Sequence, residues 1–89
     1  MIPIFKIQKE KNNLVFRCLK NLVLIKLSID DIKKENTNDG IIDITECVNT
    51  AFYMIYDNKS MNIGNGKIKE IYKLNKEAIC DRLFKIFAD

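Results

Sequence analysis

Side chains able to carry out acid–base or nucleophilic chemistry are few in this chain. It has 89 residues, no histidine, and two serines, Ser28 and Ser60, in settings typical of a helix cap and a turn. Cys18, Cys47 and Cys80 lie far apart among apolar residues, which predicts buried, reduced thiols. Without histidine or a Cys-x-x-Cys pair, a closed zinc site lacks ligands. We therefore predict that the protein is not an enzyme and has no metal or cofactor.

One segment instead carries side chains suited to contacts with DNA. Apolar residues recur every three to four positions between 44 and 55, which predicts an amphipathic helix that begins at Asp43 or Thr45 and ends near Asp57. Asparagine pairs with adenine in the major groove, and hydroxyl groups contact bases or phosphates. The outward positions expected to contact DNA are Thr45, Asn49, Thr50 and Tyr53.

A second group of candidate contacts follows this helix. Gly64, Asn65 and Gly66 separate two short apolar runs, at 61–63 and 67–74, and this pattern predicts a β-hairpin. Its tip and strand would present polar and basic side chains to phosphates or to the minor groove. The residues expected to make these contacts are Lys59, Asn65, Lys67 and Lys69.

The other elements must hold these residues in place. The pattern of residues 1–11 predicts a strand or an extended arm, and Pro3 favours an edge position for it. For residues 14–27 we favour a helix, and two strands joined near Lys20 and Asn21 are the alternative. Ser28 predicts the cap of a short helix, Ile29–Glu35, and residues 36–40 predict a loop. Asn75 predicts the cap of a last helix, whose buried face comprises Ile79, Leu83, Ile86 and Phe87.

This order of elements resembles the winged helix-turn-helix superfamily of DNA-binding proteins. The similarity covers roughly residues 14–88 and is carried by five segments: 27–32 (positioning helix), 45–56 (recognition helix), 61–63 (first wing strand), 64–67 (wing tip) and 71–78 (junction to the last helix). It implies one α+β, mainly α domain over residues 1–89, with a C-terminal β-hairpin wing and a final helix. In size and wing the chain is similar to the compact centromere-binding proteins of tubulin-like plasmid and phage partition systems.

The resemblance implies a homodimer that binds double-stranded DNA as a transcriptional regulator or a partition protein, the latter with a filament-forming partner. The chain departs from the pattern at the recognition helix, which has no basic residue before Lys59 and has acids at Asp43 and Glu46. Phosphates repel both acids. In the other arrangement that we consider, this helix forms the dimer, and the N-terminal arm and the wing hold the DNA.

Charge is unevenly distributed along the chain, although its net value is +3. Residues 1–29 have six basic groups and one acid, residues 30–57 have two basic groups and seven acids, and residues 58–89 have seven basic groups and four acids. The basic ends favour binding to nucleic acid. The acidic middle favours an alternative function, in which a small phage or mobile-element protein binds and inhibits a host protein as an anti-defence factor.

The hydropathy pattern predicts a cytoplasmic protein without a membrane partner. Early lysines interrupt any signal-peptide pattern, and the longest apolar stretch, residues 22–27, is interrupted by Lys26. That stretch is far shorter than the roughly 20 residues that a spanning helix needs.

Overall fold

The computed structural model describes residues 5–18, 22–58 and 65–89, except for the side chains of Val23 and of residues 65–68. The elements follow one another along the chain as β1 (Phe5–Glu10), β2 (Asn13–Cys18), β3 (Leu22–Ser28), α1 (Ile29–Glu35), β4 (Thr37–Asn38), β5 (Ile41–Ile42), α2 (Ile44–Tyr56) and α3 (Asn65–Ala88). Roughly half of the chain is helical, so the α+β class is confirmed.

The first three strands form an antiparallel sheet in the order β1-β2-β3. Ile7 pairs with Phe16, and Phe16 pairs with Ile25, so one sheet face carries large apolar side chains across all three strands. The favoured helix over residues 14–27 is therefore wrong, and the alternative of two strands is correct. The physical reason is that β2 finds partners on both sides, which lets its apolar side chains enter the core from a strand.

The opposite sheet face is covered by its own polar side chains. Val15 lies on that face and is only 1% exposed. Arg17 donates hydrogen bonds to Gln8 Oε1 and to Glu10 Oε1, each at 2.9 Å. In the register of β1 and β2, Arg17 lies opposite Lys6 and Val15 lies opposite Gln8. Glu10 is two residues beyond Gln8, so the Arg17 side chain must extend past Val15 to reach it. Its aliphatic part covers Val15, as long charged side chains often do.

Helix α1 begins where the sequence predicted. The Ser28 side chain accepts a hydrogen bond from the Asp31 backbone N–H at 3.2 Å, which is the interaction expected of an N-cap. The prediction of Ile29–Glu35 is confirmed.

The segment predicted as a loop is instead a tight hairpin between β4 and β5. Its two turn residues, Asp39 and Gly40, have φ of 52° and 79°. Two-residue hairpin turns of this kind require positive φ at both positions, and Asp-Gly is a preferred pair for them. The hairpin joins α1 to the start of α2.

Helix α2 also has the predicted bounds. Asp43 Oδ1 accepts a hydrogen bond from the Glu46 backbone N–H at 3.1 Å, and the helix ends at its C-cap, Asp57. Its buried side chains are Cys47, Val48, Ala51, Phe52 and Ile55.

The predicted hairpin wing is wrong over residues 65–74, which form the first part of helix α3. Residues 59–64, which include the first predicted wing strand, lie outside the described residues. Ile71 and Tyr72 are buried, and helix α3 packs along α2. Burial of these side chains against α2 outweighs the local turn preference of the glycines.

Asn75 lies at a kink that divides α3 into two helical parts, and the predicted last helix begins at this break. The Asn75 backbone is non-helical, with φ of −125° and ψ of 17°, and its Nδ2 donates to the Ile71 carbonyl at 2.9 Å. Such a side-chain bond to the preceding turn is a recognised cause of a helix kink. Beyond the kink, the predicted buried face is confirmed at Ile79, Leu83, Ile86 and Phe87.

One apolar core lies between the sheet and the helices. It includes Ile7, Phe16 and Ile25 from the sheet, with α1, α2 and α3 contributing the remainder. The Arg82 Nε donates to the Ile7 carbonyl at 3.1 Å, which ties α3 to the outer edge of β1. Among the helices of the described residues, none is long and apolar enough to cross a bilayer.

Candidate functional site

The outward face of α2 presents three of the predicted contact residues to solvent. Thr45, Asn49 and Tyr53 are exposed and follow one another at intervals of four residues, so they form one stripe along the helix. The Tyr53 side chain is 59% exposed, which is high for an aromatic residue. Glu46 is exposed on the same side of the first turn. This stripe is therefore accessible, and it carries a negative charge at its N-terminal end.

Thr50 has a structural contact that the sequence did not reveal. Its Oγ1 accepts a hydrogen bond from Asn36 Nδ2 at 3.2 Å, and the two side chains are partly buried. Asn36 Nδ2 also donates to the Ile32 carbonyl at 2.8 Å at the end of α1. Thr50 thus joins α2 to α1, and its hydroxyl is engaged within the protein.

The predicted basic contacts are placed differently from a hairpin tip. Asn65 and Lys67 belong to the first turns of α3, and their side chains are outside the described part of the structure. Lys59 lies outside the described residues. Lys69 is exposed, and its Nζ lies 5.7 Å from the centre of the Tyr56 ring. This is within the distance at which a cation is attracted to the face of an aromatic ring.

Helices α2 and α3 enclose a groove that the sequence analysis did not assemble. It has a volume of about 190 Å³, and we call it the aromatic–lysine groove. Its lining residues are Phe52, Tyr53, Tyr56, Tyr72, Lys73 and Lys76. Of the predicted site residues, Tyr53 lines this groove and Lys69 lies beside it. Lysines at 69, 73 and 76 would have been recognised as one helical face if residues 65–74 had been predicted as a helix.

The aromatic rings of the groove meet at fixed angles. The Phe52 ring is edge-on to Tyr53 at 84° and to Tyr72 at 76°, with centroid distances of 5.6 Å and 5.3 Å. Tyr56 stacks on Phe52 at 17° and 6.1 Å. Phe52 and Tyr72 are buried and form the floor, whereas Tyr53 stands at the mouth. Edge-to-face and offset-stacked pairs are the favourable arrangements of aromatic rings, so these contacts stabilise the wall of the groove.

Tyr72 is unusual because its hydroxyl is buried and has no hydrogen-bond partner among the described residues. The residue is 1% exposed and its ring stacks on Phe16 at 5.6 Å. Burial raises the pKa of the Tyr72 hydroxyl, and a smaller contribution comes from the nearby Cys18 thiol. The hydroxyl therefore stays protonated, and its desolvation lowers the free energy of unfolding.

Electrostatics distinguish the groove from the N-terminal end of α2. The described lining of the aromatic–lysine groove has two lysines and no carboxylate, and Lys69 adds a third positive charge beside it. The N-terminal end has Asp43 and Glu46. The C-terminal end of α2 also has an acid, Asp57 at its C-cap, so the part of this surface that favours an anion is the lysine-bearing side of the groove on α3.

The cysteines offer no comparable chemistry. Cys18 and Cys47 are buried and Cys80 is half-buried, and burial is the main cause that raises the pKa of each thiol. A raised pKa keeps a thiol protonated and poorly nucleophilic. Within the described parts of the chain, acids and cysteines form no cluster of three or more that would hold a metal ion.

No family model matches the chain, and comparisons with curated proteins and with solved structures find no relative.

Proposed function

We propose that this protein binds DNA through the aromatic–lysine groove and the exposed stripe of α2. The observation that carries the proposal is that Lys69, Lys73 and Lys76 lie at one end of α2 together with the exposed Tyr53 ring. Lysines neutralise phosphates and release counterions, and this term supplies most non-specific affinity for DNA. Aromatic groups beside them add contacts to bases or sugars.

The two parts of this surface have different roles in the proposal. Lys69, Lys73 and Lys76 hold the phosphate backbone, which positions the protein but carries no sequence information. Asn49 and Thr45 on the adjoining stripe contact base edges. A hairpin tip is no longer part of the contact surface, because residues 65–74 are helical.

The biological role that we propose remains a transcriptional regulator or a plasmid or phage partition protein, acting as a homodimer. One groove contacts few phosphates, so two copies on a repeated site would supply the additional contacts that specific binding needs. Binding in this mode predicts a strong dependence on salt concentration.

The test is fluorescence anisotropy with the gene's own upstream DNA as a labelled duplex of about 20–30 base pairs, at low and at moderate salt. We expect binding at low salt and weaker binding at moderate salt. The variant Lys73→Glu/Lys76→Glu should lose at least about tenfold in affinity, and its plot of log K against log salt should be shallower by roughly 1.8. The matched control is Lys9→Glu/Lys34→Glu, which removes the same charge from exposed sites elsewhere. Absence of binding at low salt, or equal losses in both variants, would refute the proposal.

Glu46 provides a test of opposite sign. Its carboxylate lies on the stripe that would face the duplex and repels phosphate. We expect Glu46→Gln to bind the same duplex more tightly than the wild type at low salt, with the difference shrinking as salt rises. Unchanged affinity would place the DNA away from the N-terminal half of α2.

A different surface supports a second candidate function, the binding of a basic host protein. Ile41 and Ile42 in the β4–β5 hairpin are 72% and 39% exposed, and no lysine or arginine occurs between Glu35 and Asp57. Exposed apolar side chains with acids nearby in the sequence are typical of a surface that docks on an apolar, basic partner. The acids nearest in sequence are Glu35, Asp39, Asp43 and Glu46.

This second function is tested by affinity purification from nuclease-treated cells of the native host. Ile41→Asp should lose a specific partner that the wild type retains. Leu74→Asp is the matched control, because Leu74 is 76% exposed on α3, away from the hairpin. Identical sets of bound proteins for the wild type and Ile41→Asp would exclude the hairpin as a docking site.

A further inference from the structure

We infer that the aromatic–lysine groove accepts an unpaired nucleobase, so that single-stranded DNA is a further ligand of this surface. This inference rests on the proposed function and adds the class of nucleic acid to it. A duplex presents its phosphates and base edges, whereas the flat faces of its bases are stacked inside. Only an unpaired base can place its face against an aromatic side chain.

The shape of the groove fits a flat, mainly apolar group. Tyr53 forms one side at the mouth, and because its ring is at 84° to Phe52, the two rings make a corner with an apolar floor. Tyr72 is buried and continues that floor. A base inserted into this corner can lie against one ring and meet the edge or face of the next, as aromatic groups prefer.

The charges fit the groups that flank a base in a strand. Lys73 and Lys76 line the groove on the α3 side, opposite Tyr53 of α2. A nucleotide whose base enters between the helices leaves its phosphates outside, within reach of these ammonium groups. Lys69 already covers the face of Tyr56, which leaves Tyr53 as the exposed ring available for stacking.

The composition of the chain supplies a direct probe of the groove. The protein has three tyrosines and no tryptophan, and Tyr53, Tyr56 and Tyr72 all line the groove. Intrinsic tyrosine emission therefore reports on this site without a label. A base stacked on Tyr53 should quench part of that emission, whereas a backbone held by the lysines alone should leave it unchanged.

The experiment titrates the intact protein at low salt with three unlabelled probes of about ten nucleotides: oligothymidylate, a duplex of random sequence, and an abasic single strand with the same number of phosphates. Tyrosine emission and competition against a labelled strand are both measured. We expect oligothymidylate to bind at least about tenfold more tightly than the abasic strand and to be the one probe that quenches emission.

Two variants separate stacking from charge. Tyr53→Leu should reduce affinity for oligothymidylate to that of the abasic strand. Tyr53→Phe keeps the ring and should retain the affinity while losing part of the quenching. Far-ultraviolet circular dichroism checks that both variants are folded.

The outcomes distinguish this inference from the proposed function. If the duplex binds as tightly as oligothymidylate and emission does not change, the groove takes no base and DNA binding through the lysines still stands. If Tyr53→Leu weakens all three probes equally, the ring supports the surface without stacking on a base, which also overturns the inference. If none of the probes binds, the inference and the proposed function both fail.

Discussion

The buried hydroxyl of Tyr72 gives the sharpest prediction about the stability of this fold. The Tyr72 ring contacts Phe16, Phe52 and Tyr56 at centroid distances of 5.3 to 5.6 Å, so Tyr72→Phe retains every ring contact. The change removes one oxygen atom, which has no hydrogen-bond partner among the described residues. The variant therefore isolates the cost of burying an unsatisfied hydroxyl.

The expected magnitude follows from the desolvation of that group. An unsatisfied buried polar group costs about 1–3 kcal/mol, and the small void left by the oxygen offsets part of the gain. We expect Tyr72→Phe to raise the free energy of unfolding by about 1 kcal/mol at pH 7. For a domain of this size, that corresponds to a rise in Tm of roughly 4–8 °C.

The same group predicts how stability changes at alkaline pH. Because burial raises the pKa of Tyr72 in the folded state, only the unfolded chain loses this proton just above pH 10. The folded state then binds more protons than the unfolded state, so stability falls as pH rises. At pH 11 the loss from this residue is about 1.4 kcal/mol, and Tyr72→Phe lacks it. Buried thiols contribute a similar slope in both proteins, so the difference between the two isolates Tyr72.

The assay is urea denaturation followed by far-ultraviolet circular dichroism, at pH 7 and at pH 11. Tyr53→Phe is the matched control, because Tyr53 is exposed and the change should alter the unfolding free energy by less than about 0.5 kcal/mol. Destabilisation by Tyr72→Phe at pH 7 would show that the hydroxyl has a favourable partner. An equal alkaline loss in Tyr72→Phe and in the wild type would refute the pH argument.

Three further stability predictions use the same urea assay at pH 7. Asp43→Ala removes the N-cap of α2 and should cost about 1 kcal/mol, and no measurable loss would mean that the cap is redundant. Gly40→Ala should lower the free energy of unfolding by about 1 kcal/mol. The loss comes from the φ of 79° alone, because the added Cβ would meet no atom within 4 Å. An unchanged free energy of unfolding would contradict that φ. Arg17→Ala should lower the free energy of unfolding more than Glu10→Ala does, because it also uncovers Val15. Equal losses of stability would show that Arg17 contributes only its ion pair with Glu10.

The sequence identified those parts of the fold that are decided by neighbouring residues. Ser28 was predicted as a helix cap and Asp43 as one of two possible starts of α2, and both side chains accept a backbone N–H in the first turn of their helix. A cap depends on groups within three positions along the chain, so its signal is local, but at Asn75 the same signal falls on a kink whose side chain bonds to the preceding turn. The Asp39-Gly40 turn carried the same kind of local signal, and it was missed only because no strand was expected beside it.

Segments with two competing patterns were decided by what they pack against. The spacing of residues 14–27 favoured a helix over a pair of strands, but pairing of β2 with β1 and β3 selected the strands. Residues 65–74 follow a hairpin signal, but contact with α2 buries Ile71 and Tyr72 from a helix. Sequence periodicity indicates which side chains of a segment can be buried together. It does not indicate which other element of the fold packs against them.

The candidate site shows the same division between sequence and structure. The amphipathic pattern was sufficient to place Thr45, Asn49 and Tyr53 on the outward face of α2, because that face depends on one helix alone. The aromatic–lysine groove was not predictable, because Lys73 and Lys76 approach Tyr53 only through the packing of α3 on α2. Residues twenty or more positions apart come together because both segments bury apolar side chains in a shared core. The free energy of that burial depends on the tertiary structure and cannot be assigned to either segment alone.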